Sequence, residues 1–259
     1  MLLISRKRTR EQVSKEYDQG SWHALAESRS WENFSSLEDF VSFANDSRTR
    51  VCWINDELVH VQTRDYYAFR LRELQQVMLH YANDSDSVAE IGCGYGMNLF
   101  SLSLLRHWKT LLGFDLSENG IRAAQTIAAH FRTQQLSFSK LDLTEGTEEG
   151  FRKLDGLTVF SYFCLEQLGQ HNSAIIQRLL NARVKRVIHL ETTFELLDKL
   201  SPLDWISCLY VKRMDYNRSL LTTLIRHERE GSLRILEARR LKFSPTLRNC
   251  PTLIVWEPA

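Results

Sequence analysis

The chain has 259 residues, and its 43% hydrophobic and 25% charged residues are typical of a globular protein with one or two domains. The 33 basic and 32 acidic side chains nearly cancel, which argues against nucleic acid or an anionic membrane as a partner. The five scattered cysteines form no C-x-x-C pair and the eight histidines show no ligand spacing, so we expect reduced thiols, a cytoplasmic protein and no metal site.

Residues 1–82 are predicted to form a mainly helical N-terminal cover or lid. The only glycine before Gly92 is Gly20 and the first proline is Pro202, so little interrupts the chain here. The start, MLLISRKRTR, lacks the apolar segment of a secretory signal, and no apolar run in the chain approaches the roughly 18 residues of a membrane span. Its basic residues are interpreted as a solvated terminus: Arg6, Lys7, Arg8 and Arg10.

The clearest helical pattern in this region is TRDYYAFRLRELQQVMLHY, with Thr63 as the predicted N-cap. Five residues at helical spacing predict one apolar face: Tyr67, Leu71, Leu74, Met78 and Tyr81. Three tryptophans precede this helix: Trp22, Trp31 and Trp53. Because a disordered tail would not carry so many large aromatics, we expect the region to cover a site or to form a homodimer interface.

Residues 83–259 are predicted to form the core of the protein. Five strand-like runs alternate with helical segments: SVAEIG, TLLGFD, LSFSKLDL, LTVFSYF and RVIHLET. The segment NLFSLSLLRHW is predicted to be the first of these helices, and Ser117 is expected to cap the next one. Strands that alternate with helices predict βαβ units and a parallel sheet.

The C-terminal part departs from this alternation. SLRILEARRLKFS and CPTLIVWEP are two strand-like runs joined by a short loop, so the last strand should lie antiparallel in the sheet. Residues 192–230 are longer than a crossover requires and are predicted to be a helical insertion that forms one wall of a pocket. Asp215, Tyr216 and Asn217 are the candidates to line that wall.

The most informative stretch is AEIGCGYG, residues 89–96, which places three glycines at alternate positions after the first core strand. The glycines can mark a tight turn, or a loop whose backbone closely approaches a ligand. The dinucleotide pattern G-x-G-x-x-G fits poorly, because Met97 occupies the position of its third glycine. The acid Glu90 would repel a pyrophosphate and suits a cationic ligand instead.

Four motifs resemble those of the class I S-adenosylmethionine-dependent methyltransferases. EIGCGYG is similar to the first motif of that family, FDLSENGIRAAQ to the second, KLDLTEG to the third and FSYFCLEQL to the fourth. The resemblance covers residues 86–195. It implies an α/β fold with a Rossmann-like, mostly parallel seven-stranded sheet and an antiparallel C-terminal hairpin strand, and it implies S-adenosylmethionine as cofactor and S-adenosylhomocysteine as product.

The resemblance assigns the first motif to the amino-acid end of the cofactor. Gly92, Gly94 and Gly96 would let the loop pass beside it, and Glu90 would orient the methionine moiety through its ammonium group or bridging waters. Cys93 lies inside the loop, where a small side chain is sufficient and no reactive role is needed.

The other motifs are assigned to the rest of the cofactor. Asp115 would accept hydrogen bonds from the ribose hydroxyls, with Leu116 beside the adenine. Asp142 would accept one from the adenine amino group, with Leu143 next to it. The backbone around two further residues would lie near the methionine end: Ser161 and Tyr162.

Residues near the carboxyl ends of the fourth and fifth strands are the candidates for catalysis. They are Glu166, Gln167, His171 and Glu191. Each also has a structural interpretation, since Glu166 can cap a helix, Glu191 can end a strand and His171 can lie on the surface. Gln167 stands where many members of the family have histidine, so no histidine base is available there. His189 is expected to be a buried core histidine. Tyr66, Tyr67 and Arg70 in the N-terminal helix are candidates to close over the cofactor, and Tyr66 is a better candidate than Tyr67, which belongs to the apolar face.

The predicted function is methyl transfer to an oxygen or nitrogen atom of a small molecule. The motif N/D-P-P-Y/F of nucleic-acid amino methyltransferases is absent after the fourth strand, where FSYF stands. The acids Glu166, Glu191 and Asp215 suit an amine-bearing acceptor. The alternatives are a peptide or protein side-chain methyltransferase, a cofactor-binding partner subunit without catalysis, and a nicotinamide-dependent oxidoreductase.

Overall fold

The structure is a computed structural model that describes residues 10–43, 46–168, 171–244 and 248–259. A seven-stranded sheet is its centre, and the strands run in the order β5-β4-β3-β6-β7-β10-β8. Their bounds are β3 Ser87–Ile91, β4 Thr110–Asp115, β5 Leu136–Lys140, β6 Thr158–Tyr162, β7 Arg186–Glu191, β8 Leu233–Arg240 and β10 Thr252–Pro258.

The sheet topology confirms the predicted fold class. The pairs β3–β4, β4–β5, β3–β6 and β6–β7 are parallel, whereas β10 is antiparallel to both β7 and β8. The five parallel strands coincide with the five predicted runs. All four crossovers between them carry a helix, and the hairpin β8–β10 follows the helical insertion.

Helices cover both faces of the sheet. One face carries α3 Leu37–Ser42, α4 Thr63–Tyr81, α5 Met97–Ser103 and α6 Glu118–His130, and the other carries α7 Glu148–Arg152, α8 Asn172–Asn181 and α10 Leu220–Arg229. Ser117 caps α6 as predicted, because its Oγ accepts a hydrogen bond from the Gly120 amide at 2.9 Å. The helix α5 is shorter than predicted: the chain leaves it after Ser103, and the Trp108 indole donates a hydrogen bond to the Leu102 carbonyl at 2.8 Å.

The prediction that the N-terminal region is mainly helical is wrong for residues 49–62. These residues form an antiparallel hairpin of β1 Thr49–Ile54 and β2 Glu57–Gln62, and β1 also pairs with the short β9 Phe243–Ser244. The turn residues Asn55 and Asp56 both have positive φ, 51° and 66°, as the mirror-image hairpin turns require. The sequence contained a signal for this hairpin, because β-branched residues lie on both sides of the pair Asn55–Asp56.

The rest of the N-terminal region packs onto the core as a cover. It contains α1 Arg10–Glu16, a wider helical turn over Tyr17–Trp22, α2 His23–Ser28 and α3. Trp31 is only 1% exposed, and the Phe40 ring lies 6.1 Å from that of Phe100 and 5.5 Å from that of Phe131. The boundary at residue 82 stays a prediction. Of the N-terminal basic residues, only Arg10 lies within the described residues.

Helix α4 buries the predicted apolar face through Leu71, Leu74 and Met78, whereas Tyr67 and Tyr81 are half-buried. Thr63 does not cap it, which corrects the prediction: its hydroxyl donates a hydrogen bond to the Arg48 carbonyl at 2.9 Å. The helix is therefore fixed to the residues that precede the hairpin.

The insertion after β7 consists of α9 Pro202–Met214 and α10. The buried carboxylate of Asp204 in α9 accepts a hydrogen bond from Arg240 Nε at 2.8 Å, and the same guanidinium reaches Asp56 in the hairpin turn. This guanidinium joins the insertion, the hairpin and strand β8. Within the described ranges, no helix combines the length and the apolar composition needed to cross a bilayer.

Candidate active site

The glycine loop ends strand β3 and bends back over the sheet. Gly92, Gly94 and Gly96 have φ values of 75°, 54° and 86°, in the left-handed region that other residues rarely adopt. The amides of Gly92 and Cys93 donate to the Phe114 carbonyl at 2.7 and 3.0 Å, which holds the loop against β4. A Cβ atom at Gly92 would overlap the sulfur of Cys164 and come within 2.5 Å of its Cβ. Close packing and backbone conformation both require glycine here.

A cavity of about 1020 Å³ lies at the carboxyl ends of the parallel strands, above this loop. Eleven of the predicted site residues line it: Gly92, Cys93, Gly94, Asp115, Leu116, Asp142, Leu143, Tyr162, Glu166, Gln167 and His171. The carboxyl ends of parallel strands are where open α/β sheets bind their ligands, because the loops that leave them enclose a crevice. The cavity is large enough for a nucleoside with an extended substituent.

The two carboxylates along the nucleoside side of the cavity are held by backbone amides. Asp115 accepts hydrogen bonds from the Gly94 amide at 2.7 Å and from the Ser117 amide at 2.8 Å. Burial raises the pKa of Asp115, and these hydrogen bonds oppose the rise. Asp142 Oδ1 accepts from the amide and the hydroxyl of Thr144, each at 2.8 Å. Both side chains are thus oriented before any ligand arrives.

A buried carboxyl group and a half-buried guanidinium group flank the glycine loop. Glu90 is fully buried and accepts a hydrogen bond from Asn98 Nδ2 at 2.6 Å, and Asn98 lines the cavity. Glu90 Oε2 and Asn98 Oδ1 are buried without a hydrogen-bond partner among the described residues. Burial raises the pKa of Glu90 to about 8, although the Asn98 hydrogen bond and the charge of Arg70 oppose the rise.

Arg70 reaches the same end of the cavity from helix α4. Its guanidinium carbon lies 4.6 Å from the centre of the Tyr162 ring. Among the described residues no carboxylate lies within 4.0 Å of its nitrogens, so this cation forms no salt bridge. A half-buried guanidinium that lines a cavity and forms no salt bridge is a site for an anion.

The N-terminal cover closes the nucleoside side of the cavity as a strap over residues 16–22. Asp18 Oδ1 accepts hydrogen bonds from the Ser117 hydroxyl at 2.6 Å and the Asn119 amide at 3.0 Å, at the start of α6. The Trp22 ring lies on Gly94, where a Cβ atom would come within 2.9 Å of it, and packs against Tyr95. The strap therefore buries the loop that the glycines form.

The turn after β6 forms the opposite end of the cavity. Phe163 has a φ of 54°, which is unusual for an aromatic residue and is kept only where surrounding contacts enforce it. The carboxylate of Glu191 supplies those contacts by accepting hydrogen bonds from the amides of Cys164 at 3.1 Å and Glu166 at 3.2 Å. Burial raises the pKa of Glu191, and the hydrogen bonds that it accepts oppose the rise. Glu191 is thus a buried support of the turn.

Behind this turn lies the buried histidine that the sequence predicted. The Trp256 indole donates to His189 Nε2 at 3.0 Å, which leaves the ring hydrogen on Nδ1, where the Ser161 hydroxyl lies at 3.0 Å. Burial lowers the pKa of His189 to about 3, so the ring is neutral. Ser161 and His189 belong to the interior of the sheet.

Five predicted site residues do not line the cavity: Tyr66, Glu90, Gly96, Ser161 and Glu191. Glu90 lies behind Asn98, and Gly96 packs against Phe138. Tyr66 packs against Phe243 and Tyr67 instead of closing over the loop. Of the predicted wall residues, Asp215 and Tyr216 line the cavity, whereas Asn217 is buried against Asn172. Arg70, one turn after Tyr66 on α4, reaches the cavity.

No protein-family model matches the sequence, and no curated protein matches it. Solved structures do share the fold. Magnesium protoporphyrin IX methyltransferase (ChlM) from Synechocystis PCC 6803 with bound SAH has a TM-score of 0.55 at 17% identity, over 76% of this chain and 85% of that one. The PH0226 protein from Pyrococcus horikoshii OT3 has a TM-score of 0.52 at 17% identity, over 74% and 91%. The small RNA methyltransferase HEN1 has a TM-score of 0.56 at 12% identity, over 74% and 25%.

This chain has the class I S-adenosylmethionine-dependent methyltransferase fold. Identities of this size show a shared fold and leave the acceptor open, since the neighbours named above include a porphyrin and an RNA enzyme. Within the described parts of the chain, no group of three His, Cys, Asp or Glu side chains is arranged to hold a metal ion.

Several residues of the cavity of this methyltransferase fold were missed by the sequence analysis. They are Glu16, Tyr17, Asp18, Trp22, Tyr95, Asn98, Tyr210 and Asn249. For Asn98 a signal existed, because it follows the third glycine within the first helical turn, where it faces Glu90. The strap and the α9 residues carry no local motif, and only the tertiary structure brings them to the glycine loop.

Proposed function

We propose that the protein is an S-adenosylmethionine-dependent methyltransferase that methylates an oxygen or nitrogen atom of a small molecule. The carrying observation is the pair of groups beside the glycine loop: the buried Glu90 with Asn98, and the half-buried Arg70. An amino-acid end with one ammonium and one carboxylate complements this pair. The SAH bound to the neighbouring ChlM structure supports the same ligand class.

The cofactor would be held by residues along the whole cavity. Asn98 Oδ1 would accept a hydrogen bond from the ammonium, with the Glu90 carboxyl group behind it, and Arg70 would pair with the carboxylate. Asp115 would accept hydrogen bonds from the ribose hydroxyls in addition to those from backbone amides, since a carboxylate accepts about four hydrogen bonds. Asp142 would face the adenine.

When bound, S-adenosylmethionine supplies a methyl group on a sulfonium that is already activated for in-line displacement. The protein therefore contributes by positioning the reactants and excluding water, which can lower the activation free energy by about 7–11 kcal/mol in favourable cases. The strap and the tyrosines of the opposite end form walls of the cavity, and we expect a small acceptor rather than a peptide or protein side chain between them. Glu166 lies at the cavity wall and is the candidate to accept a proton from the acceptor.

The direct test is a calorimetric titration of the wild-type protein with S-adenosylmethionine, S-adenosylhomocysteine and NADH. We expect S-adenosylmethionine and S-adenosylhomocysteine to bind, and we expect no binding of NADH. In Asp115→Ala, binding should weaken by at least about tenfold, because hydrogen bonds to a charged acceptor are lost. The matched control is Asp86→Asn, which changes an exposed acid before β3.

Binding of NADH without S-adenosylmethionine binding would overturn the proposal in favour of an oxidoreductase. Cofactor binding without methyl transfer to any acceptor would point to the non-catalytic partner subunit. Unchanged affinity in a folded Asp115→Ala variant would show that the ligand lies elsewhere.

Cofactor binding near neutral pH is expected to release a proton from Glu90. With a pKa of about 8, Glu90 is largely protonated in the ligand-free protein, and a cation beside it stabilises the ionised form. Titrations in buffers of different ionisation enthalpy should therefore report the release of close to one proton. Glu90→Gln should remove the release and weaken binding, and an equal release in that variant would contradict the assignment.

The same pKa shift affects the free protein. Between the ordinary value of 4.5 and about 8, the native state binds more protons at Glu90 than the unfolded chain does. The contribution of Glu90 to the free energy of unfolding therefore falls as the pH rises through this window. Glu90→Gln should flatten that part of the stability profile.

A further inference from the structure

A series of buried polar side chains leads from strand β10 through β7 and β6 to the turn after β6. Its members are Trp256, His189, Ser161 and Glu191, and each of them is at most 1% exposed. We call these four residues the buried network. None of them belongs to the described residues that line the cavity. Since buried polar groups are costly unless they are hydrogen-bonded, the order of donors and acceptors in the network decides what it stabilises.

The indole at the start of the network fixes the direction of its hydrogen bonds. Trp256 can only donate, and it donates to His189 Nε2 at 3.0 Å. The neutral imidazole therefore carries its hydrogen on Nδ1 and donates it to the Ser161 hydroxyl oxygen at 3.0 Å. Ser161 also forms a side-chain hydrogen bond with Glu191. Because the serine oxygen already accepts from the imidazole, its one hydrogen is donated to the carboxylate.

The carboxylate at the end of the network binds the backbone of the turn. Glu191 accepts hydrogen bonds from the amides of Cys164 at 3.1 Å and Glu166 at 3.2 Å, and from the amide of Leu165 between them. Together with the Ser161 hydroxyl these are four donors, and a carboxylate accepts about four hydrogen bonds. The donors favour the ionised form of Glu191 and oppose the effect of its burial, because protonation would turn an acceptor into a donor.

The turn that is held in this way connects two parts of the cavity. The Cys164 side chain packs on Gly92 of the glycine loop, where a Cβ atom would overlap its sulfur. Glu166 lines the cavity, and its carboxylate accepts a hydrogen bond from the amide of Thr192, the residue after Glu191, at 3.3 Å. A displaced turn would therefore shift the glycine loop relative to Glu166. Group transfer is sensitive to such displacements, even those of about 1 Å.

We propose that Glu191 is a positioning residue of the methyltransferase site, and that the rest of the buried network keeps its carboxylate aimed at the turn after β6. This inference deepens the proposed function and rests on it. Glu191 was predicted as a candidate for catalysis. In this proposal it sets the position of the turn between the glycine loop and Glu166 and does not contact the reactants, while His189 fixes the direction of the hydrogen bonds.

Nitrogen NMR of the protein labelled at histidine tests the network without any ligand. We expect His189 to carry its hydrogen on Nδ1. In Trp256→Phe the indole donor is lost, so a fraction of the molecules should carry the hydrogen on Nε2 instead. The Ser161 hydroxyl then donates to Nδ1 and no longer to the carboxylate. The amide hydrogen signals of the turn, residues 164–166, should shift in Trp256→Phe and in Ser161→Ala, because their acceptor loses a donor that orients it.

Calorimetric titration with S-adenosylhomocysteine measures the consequence for the cofactor site. Ser161→Ala removes the last donor before the carboxylate and is expected to weaken binding by about threefold to tenfold. Glu191→Gln should weaken binding by at least about tenfold, because its amide group directs a donor at backbone donors. Since Glu191 is buried, its variant can also fold less well, and Ser161→Ala, which deletes a single hydroxyl, keeps the test valid.

A double variant distinguishes the network from independent structural roles. Trp256→Phe should weaken binding in the wild-type background and have no further effect in Ser161→Ala, because the connection through which it acts is already broken. The matched control is Trp108→Phe. Trp108 is 1% exposed, and its indole donates to the Leu102 carbonyl at 2.8 Å, outside the network. This control should leave the His189 tautomer, the turn signals and the affinity unchanged.

The two readouts separate the two proposals. Failure of S-adenosylhomocysteine to bind the wild type would overturn the proposed function, and the amide signals of the turn would still decide whether the network holds it. Four results would overturn the positioning role: a His189 hydrogen on Nε2 in the wild type, unchanged turn signals in Ser161→Ala, normal affinity of the folded Ser161→Ala and Glu191→Gln variants, or additive losses in the double variant.

Discussion

Replacing Arg70 with methionine is expected to weaken S-adenosylmethionine binding by about 2–5 kcal/mol, because the ligand carboxylate would lose its charged partner. Methionine can fill most of the same volume and keep contact with the Tyr162 ring. The side chain of Arg70 forms no salt bridge with a described residue, so its removal breaks no ion pair of the free protein.

The stability of the Arg70→Met variant is therefore expected to stay equal or to increase. A half-buried cation that forms no salt bridge has lost part of its hydration, and an apolar side chain of similar size removes that cost. Loss of ligand binding together with unchanged or higher thermal stability is a combination that a merely structural role would not produce. Calorimetric titration and thermal unfolding of the same samples measure the two parts.

Two further variants sharpen the interpretation of this result. Arg70→Lys keeps the charge but loses the planar fork, so its affinity should lie between those of the wild type and Arg70→Met. Arg64→Met changes an arginine of the same helix whose side chain is 67% exposed, and it should bind normally. Wild-type affinity in Arg70→Met would mean that another group holds the carboxylate.

Replacing Gly92 with alanine is expected to destabilise the protein by about 2–5 kcal/mol, the sum of backbone strain and steric overlap. The residue has a φ of 75°, and a Cβ atom there would overlap the sulfur of Cys164. Since the loop also carries the Gly92 and Cys93 amides that bind the Phe114 carbonyl, its displacement should abolish cofactor binding as well.

The chain offers a close control for this variant. Gly156 has a φ of 71° and nothing within 4 Å of the position of a Cβ atom. Gly156→Ala should therefore lower the free energy of unfolding only through backbone strain, by about 1–2 kcal/mol, and leave cofactor binding intact. Urea denaturation of both variants measures the difference.

The double variant Gly92→Ala/Cys164→Gly removes both atoms that the new methyl group would meet. If steric overlap is the cause, the loss of unfolding free energy in this double variant should be smaller than the sum of the losses in the two single variants. A double-mutant cycle measures that difference. Equal destabilisation by Gly92→Ala and Gly156→Ala would contradict the steric argument and leave backbone strain as the whole effect.

The sheet and the cofactor motifs could be predicted from the sequence because their signals are local. A buried parallel strand is a short apolar run, and a loop that needs positive φ uses glycine, so β3 and residues 92–96 are visible in one window. The hairpin over residues 49–62 also had a local signal at Asn55–Asp56, but the scarcity of glycine and proline around it was interpreted as helix. Its pairing with β9 joins residues nearly two hundred positions apart and carried no local signal.

The residues of the site also divide into those with a local sequence signal and those that only tertiary packing brings together. By itself, the sequence determined the fold class, the glycine loop and the acids of the carboxyl strand ends, since these depend on the period and the backbone conformation of short segments. Only the tertiary structure decided that Arg70, not Tyr66, reaches the loop, that Trp22 lies on Gly94, and that Tyr210 joins Glu166 in one wall. Such contacts depend on how helices from distant parts of the chain rotate and pack around the sheet, and no pattern along a single helix specifies that packing.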